Sequence, residues 1–277
     1  MKHYPIVFSI GASDCLGSAG VQADNKVVTS LGAYACAATT SIVVHNTQGA
    51  IESIHNAPVE FIEKQIKAVM EDIHPDVIKI GFVNDTNIIR TIAEGLRKYH
   101  PRYVVFDPVI FTIAGQTVLE EDAIKAIQDE LFHFTNLITL TLEEAEALTS
   151  IKVSSREEMA QSAQNLSEIS NMSILLRGFC PESGHRCHIL HSPNGEKWIY
   201  DLGNFVPPRI HGVGSCFSAA VAAYIALGKT LNEAVEEAQV YIQQAVKIGS
   251  GVRLGRSSDS ICHSFEPEKM RILNNGF

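Results

Sequence analysis

The segment Val77–Asp107, VIKIGFVNDTNIIRTIAEGLRKYHPRYVVFD, decides the fold. It opens on a short β-branched run, Val77–Ile80. It continues as a helical pattern over Thr86–Tyr99 and closes on a second short run, Tyr103–Asp107. Short runs that are apolar throughout are the signature of strands buried on both faces. The same unit repeats outward in both directions. Upstream lie strand candidates at Ile6–Ile10 and within Tyr34–Val44, with helix candidates at Gln22–Leu31 and Val59–Glu71. Downstream lie strand candidates at Leu137–Leu140 and Ser173–Arg177, with helix candidates at Glu121–Phe132, Glu143–Thr149 and Ser155–Ser170. This alternation predicts an α/β fold, a mostly parallel sheet with helices on both faces. The rhythm breaks after Arg177. In HILHSPNGEKWIYDL (188–202), Asn194-Gly195 sits between two alternating runs, which predicts a small antiparallel hairpin. Two long helices follow, at about 214–227 and 231–248. No repeat, linker or low-complexity tract interrupts the chain, so residues 1–277 are expected to form a single domain.

Composition excludes several function classes. The chain has 277 residues, of which 45% are hydrophobic and 19% charged, and this is globular. The net charge is −9 and no basic run exceeds a pair, which argues against a nucleic-acid partner. The N-terminal apolar run Ile6–Ile10 is too short for a signal-peptide core or a membrane span. Cysteines 15, 36, 180, 187, 216 and 262 show no framework spacing and read as reduced thiols, so a cytoplasmic location is expected. Cys180, His185, Cys187 and His188 crowd together in CPESGHRCH, but their spacing is irregular for zinc.

Open parallel sheets bind ligands beyond the carboxyl ends of their strands. Those ends read GASDCLGSAGVQAD, HNTQGA, GFVND, DPVIFTIAGQ, TLEEAEAL and RGFC. Polar and glycine-rich residues therefore gather on one rim. A further loop, HGVGSCFSAA (211–220), opens a helix in the manner of an anion cradle.

These segments carry a family likeness. SIGASDCLGSAGVQADNK, LGAYACAATTSIVVHNTQGA, VIKIGFV, VVFDPVI, LITLTLEEAEAL and HGVGSCFSAAVAA stand in order at compatible spacing. In them the chain resembles the hydroxymethylpyrimidine and phosphomethylpyrimidine kinases of thiamine biosynthesis, relatives of the pyridoxal kinases within the ribokinase-like superfamily. The resemblance implies a ribokinase-like three-layer sandwich and a homodimer. It implies ATP as co-substrate, Mg2+ as metal and a small pyrimidine or pyridine substrate. Asp24 matches a substrate-contacting aspartate. Val43, His45, Phe82 and Val109 match positions that line the pyrimidine pocket. Asp107 and Glu144 match acids near the magnesium and triphosphate, with Thr141 and Arg177 on the nucleotide side. Gly212, Gly214 and Ser215 match the anion hole and its catalytic position. His45 also fits a core histidine bonded to a backbone carbonyl, and Asp14 a turn residue or helix cap.

The chain departs from the family pattern at the same rim. The family's His-Gly-Thr-Gly-Cys-Thr is here His211-Gly-Val-Gly-Ser-Cys216, so Val213 replaces a hydroxyl and Ser215 the cysteine. A serine without a neighbouring base is a poor proton acceptor. Cys216, turned by about 100° along the helix, is expected to face away from the substrate. Thr141 stands for an asparagine, Ile113 and Arg177 for lysines, and Phe179 for a glycine. Leu16–Gly20 and the segment GRSSDSICHS also differ from the family. Three functions are therefore open: a pyrimidine kinase with weakened catalysis, a pyridoxal-type kinase, or a non-catalytic pyrimidine- or pyridine-binding homologue.

Overall fold

The computed structural model describes residues 2–47, 51–112, 115, 117–179, 186–202, 210–256, 258–259 and 261–274. Its strands are β1 (Ile6–Asp14), β2 (Tyr34–His45), β3 (Ile51–Asn56), β4 (Val77–Ile80), β5 (Val104–Phe106), β6 (Leu137–Thr141), β7 (Ser173–Phe179), β8 (Arg186–His191), β9 (Lys197–Asp201), β10 (Arg253–Leu254) and β11 (Ser258–Asp259). Its helices are α1 (Gly20–Ser30), α2 (Val59–Asp72), α3 (Thr86–Tyr99), α4 (Glu121–Ala126), α5 (Leu142–Thr149), α6 (Arg156–Ser170), α7 (Val213–Ala226) and α8 (Leu231–Gly249).

The first nine strands form one sheet in the order β3-β2-β1-β4-β5-β6-β7-β8-β9. The six central strands run parallel, and antiparallel partners close both edges. The pleat sends alternate side chains to opposite faces. Phe8, Ile78, Phe106 and Ile138 pack under α2–α6, whereas Val7, Val77, Val105 and Leu137 pack under α1, α7 and α8. The result is the expected three-layer ribokinase-like sandwich. The expected hairpin is present as β8 and β9, with Gly195 at φ +86° in its turn.

The deciding segment folds as read. α3 starts at Asp85, whose carboxylate accepts from the Asn87 and Ile88 N–H groups. It stops at His100, which is left-handed at φ 46° and precedes Pro101. Ile88, Ile89, Ile92 and Leu96 form its buried stripe. Each such side chain contributes about 1.5–3 kcal/mol on burial.

Two readings need correction. The helix expected over Glu121–Phe132 is α-helical only to Ala126. It widens to a π-turn at Ile127–Leu131 and tightens to a 3-10 turn at Phe132–Phe134. Ala126, Ile127 and Leu131 stay buried through this change, so core packing sets the path of the chain. β3 was not foreseen in the sequence. It is an edge strand that pairs only with β2 and leaves Glu52, Ser53 and His55 exposed. Among the described residues, no helix is long and apolar enough to cross a membrane.

Candidate functional site

The carboxyl ends of the parallel strands open into a cleft of about 1170 Å³. Of the residues matched to the family's site, all but Asp24 line it: Val43, His45, Phe82, Asp107, Val109, Thr141, Glu144, Arg177, Gly212, Gly214 and Ser215. Ile113 and residues 180–185 lie outside the described residues, as does the side chain of Phe179.

The cradle is built at the start of α7. Gly212 caps this helix in the left-handed region at φ 90°. A Cβ there would collide with the Ser18 carbonyl oxygen. At Gly20, φ +61°, an added Cβ would likewise collide with the Ala12 carbonyl oxygen. Within α7, the first amide to find its intrahelical acceptor is that of Cys216, on Gly212. The preceding N–H groups therefore face the cleft with the positive end of the helix dipole. Arg177 lies over Gly214, where a Cβ would come within 2.5 Å of its guanidinium. Arg177 also donates to Asp107 at 3.0 Å.

Ser215 has partners that the sequence did not disclose. Its Oγ donates to Asp24 Oδ1 at 3.0 Å and accepts from Lys79 Nζ at 3.2 Å. Lys79 also donates to both Asp24 oxygens at 3.0 Å. Asp24 and Lys79 are each 1% exposed, whereas Ser215 reaches the cleft. This geometry bears on two expectations. The Asp24 carboxylate is turned to Lys79 and Ser215 and does not line the cleft. Ser215 does not lack an acceptor, because Asp24 is that acceptor. Burial pushes the Asp24 carboxyl above its usual range, against the pull of the Lys79 ammonium and the Ser215 hydroxyl. Cys216 is fully buried with its Sγ 3.4 Å from His263 Nε2, and so faces away from the cleft as expected.

Asp14, His45 and His211 also line the cleft, beside the loop that opens α7. Asp14 Oδ1 accepts from the Leu16 N–H. Its Oδ2 accepts from the Ala19 N–H, from Ser18 Oγ and from His211 Nε2 at 3.3 Å. Burial raises this carboxyl, but His211 and the two amides outweigh it and hold the group at about 2. The His211 and His45 rings lie 4.0 Å apart, tilted by 37°. The strand register is irregular just before Asp14 in β1 and at His45 in β2, a device that re-aims side chains.

Asp107, Thr141, Glu144 and Arg177 line another part of the same cleft. Asp107 accepts from Thr139 Oγ1, Arg177 and Ser218 Oγ. Thr141 caps α5 in a reciprocal capping box with Glu144. Glu144 also accepts from the Ile110 N–H. Burial raises the Glu144 carboxyl, and Arg177 opposes that shift. A carboxylate has about four lone-pair sites, so both groups retain acceptor capacity. Two hard-oxygen groups of this kind suit Mg2+, which keeps several of its waters.

Sheet, helix-start cradle and paired acids define a ribokinase-like kinase. The phosphomethylpyrimidine kinase family model matches residues 14–261. The chain belongs to this phosphotransferase family. It is 34% identical to the bifunctional thiamine biosynthesis protein of Geobacter sulfurreducens, over 96% of this chain and 53% of that one. It therefore spans about half the length of that relative. It is 32% identical to the hydroxymethylpyrimidine/phosphomethylpyrimidine kinase of Rhizobium meliloti, over 93% and 96% of the two chains. The phosphomethylpyrimidine kinase structure from Clostridium difficile superposes with a TM-score of 0.78 at 31% identity, covering 87% of this chain and 99% of that one. The pyridoxal kinase of Staphylococcus aureus, solved with pyridoxal, shares the fold with a TM-score of 0.83 at 24% identity, covering 98% of each chain.

Proposed function

We propose that this protein transfers the terminal phosphoryl group of ATP to the hydroxymethyl oxygen of 4-amino-2-methyl-5-hydroxymethylpyrimidine, or phosphorylates its monophosphate. The carrying observation is the Ser215–Asp24–Lys79 network on the floor of the cleft beside the α7 cradle. The substrate hydroxyl gives its proton to Ser215 Oγ as Ser215 passes its own to Asp24. Lys79 holds both partners in place. Phosphoryl transfer needs positioning and charge stabilisation more than covalent help. The α7 amides and the Arg177 guanidinium supply that charge. Val43, Phe82 and Val109 enclose the heterocycle. Asp107 and Glu144 would hold Mg2+ through its waters, and the ion would neutralise phosphate charge. The Ser215 relay favours a working kinase over a non-catalytic binder.

Family likeness supports a homodimer, and the five free cysteines among the described residues support a cytoplasmic location. The uninterrupted sheet supports one catalytic domain over residues 1–277.

The test offers hydroxymethylpyrimidine and pyridoxal, with Mg-ATP, to the pure full chain, with calorimetry in parallel. Phosphorylation of the pyrimidine is expected. Faster turnover of pyridoxal would make it a pyridoxal-type kinase, and binding without turnover would make it a binder.

A further inference from the structure

We infer that Asp14, His45 and His211 form a binding site for a divalent transition-metal ion, Zn2+ in the first instance, within the cleft. One ligand-type atom from each residue lies within 4.8 Å of the others. The closest pair, His211 Nε2 and Asp14 Oδ2, is 3.3 Å apart. Two ligands each about 2.0–2.1 Å from a tetrahedral ion are about 3.3–3.4 Å apart, so this pair already has the edge length of a zinc polyhedron. His45 supplies the third ligand-type atom, its ring centroid 4.0 Å from that of His211.

The donor chemistry selects the ion. Two imidazoles and one carboxylate suit zinc and its neighbours in the transition series. Magnesium demands near-octahedral oxygen coordination, which suits Asp107 and Glu144 better than this histidine-rich set. Asp14 is also supported as ligating carboxylates are, by the Leu16 and Ala19 amides and the Ser18 hydroxyl. The site is buried at Asp14 and His45 and open at His211, which lines the cleft. Three protein ligands leave a fourth position facing the cleft. A ring nitrogen or hydroxyl of a small heterocycle is the class of ligand that would fill it. The ion takes the place of the hydrogen that His211 Nε2 now shares with Asp14, and that proton leaves to solvent.

The test uses the full chain after chelator treatment. It is titrated with Zn2+ against a chromophoric chelator and with Co2+ by visible spectroscopy. The expected result is one ion per chain and the strong visible bands of four-coordinate Co2+. His45→Gln weakens binding by at least about tenfold, since even supporting residues of metal sites are worth 10–100-fold. Circular dichroism establishes that the variant is folded, and Asp14→Asn serves as the second variant if it is not. The inference is overturned if the parent binds no ion, or if binding survives undiminished in the folded variant. A thiolate charge-transfer band that vanishes in Cys15→Ser also overturns it, because the ion would then sit on sulfur. Phosphorylation by the metal-stripped chain with Mg-ATP is scored separately, so failure of this site and failure of the kinase reading are distinguishable.

Discussion

Two buried carboxylates, Asp14 lining the cleft and Asp24 beneath Ser215, each face nitrogen donors, yet their surroundings differ. Asp14 receives two backbone amides, a hydroxyl and an imidazole, and stays anionic down to about pH 2. Asp24 receives side chains only, and burial pushes its carboxyl up. Fixed backbone dipoles make a permanent anion, whereas a desolvated carboxylate with few donors remains a base. In the proposed reading Asp14 serves a cation and Asp24 a proton, and the difference lies in who donates.

The harshest way to break the comparison is Lys79→Ala. It leaves Asp24 buried beside Ser215 without its counter-charge. Loss of one partner from a buried ion pair costs about 3–5 kcal/mol, to be read from urea unfolding. A cost no larger than that of a surface substitution would mean that water reaches Asp24.

Asp24→Asn tests the task itself. It keeps the shape and removes the proton acceptor, so kcat should fall by about 10²–10⁴-fold with pyrimidine affinity retained. A lost affinity with unchanged kcat would return Asp24 to the role of substrate contact. The parent should also show an acid limb in kcat above the ordinary aspartate range of about 4. Its sign follows from the raised carboxyl: activity is lost as pH falls through that value. The limb should be absent from the residual activity of Asp24→Asn.

Asp14→Ala has the smallest expected effect. Losing its charge-assisted hydrogen bonds should cost about 1.5–3 kcal/mol in the metal-free chain, measured by urea unfolding. Turnover should fall less than in Asp24→Asn, and an equal or larger fall would show that both carboxylates serve the proton.

The sequence made the layers legible because β4, α3 and β5 agree at every level, from buried stripe to capping residues. It also gathered most of the cleft, because the ends of parallel strands converge on one rim. β3 escaped because, as an exposed edge strand, it carries only half a hydrophobic pattern. The Ser215 network escaped for another reason. Its members are 55 to 191 positions apart and meet through the packing of α1 on α7 and of α7 on β4. One signal was available. Lys79 is a charge inside a run that otherwise reads as buried on both faces, and a lysine there requires a counter-ion.

The two close approaches at glycine have a kinetic consequence. Gly20 packs against the Ala12 carbonyl within the first loop, and Gly212 packs against the Ser18 carbonyl of that loop, so the first loop and the start of α7 are in direct contact. The amides of Leu16 and Ala19, bonded to Asp14, and that of Cys216, bonded to Gly212, should then exchange with deuterium through one shared opening event. Substrate seated at one loop would slow exchange at the other by the same factor.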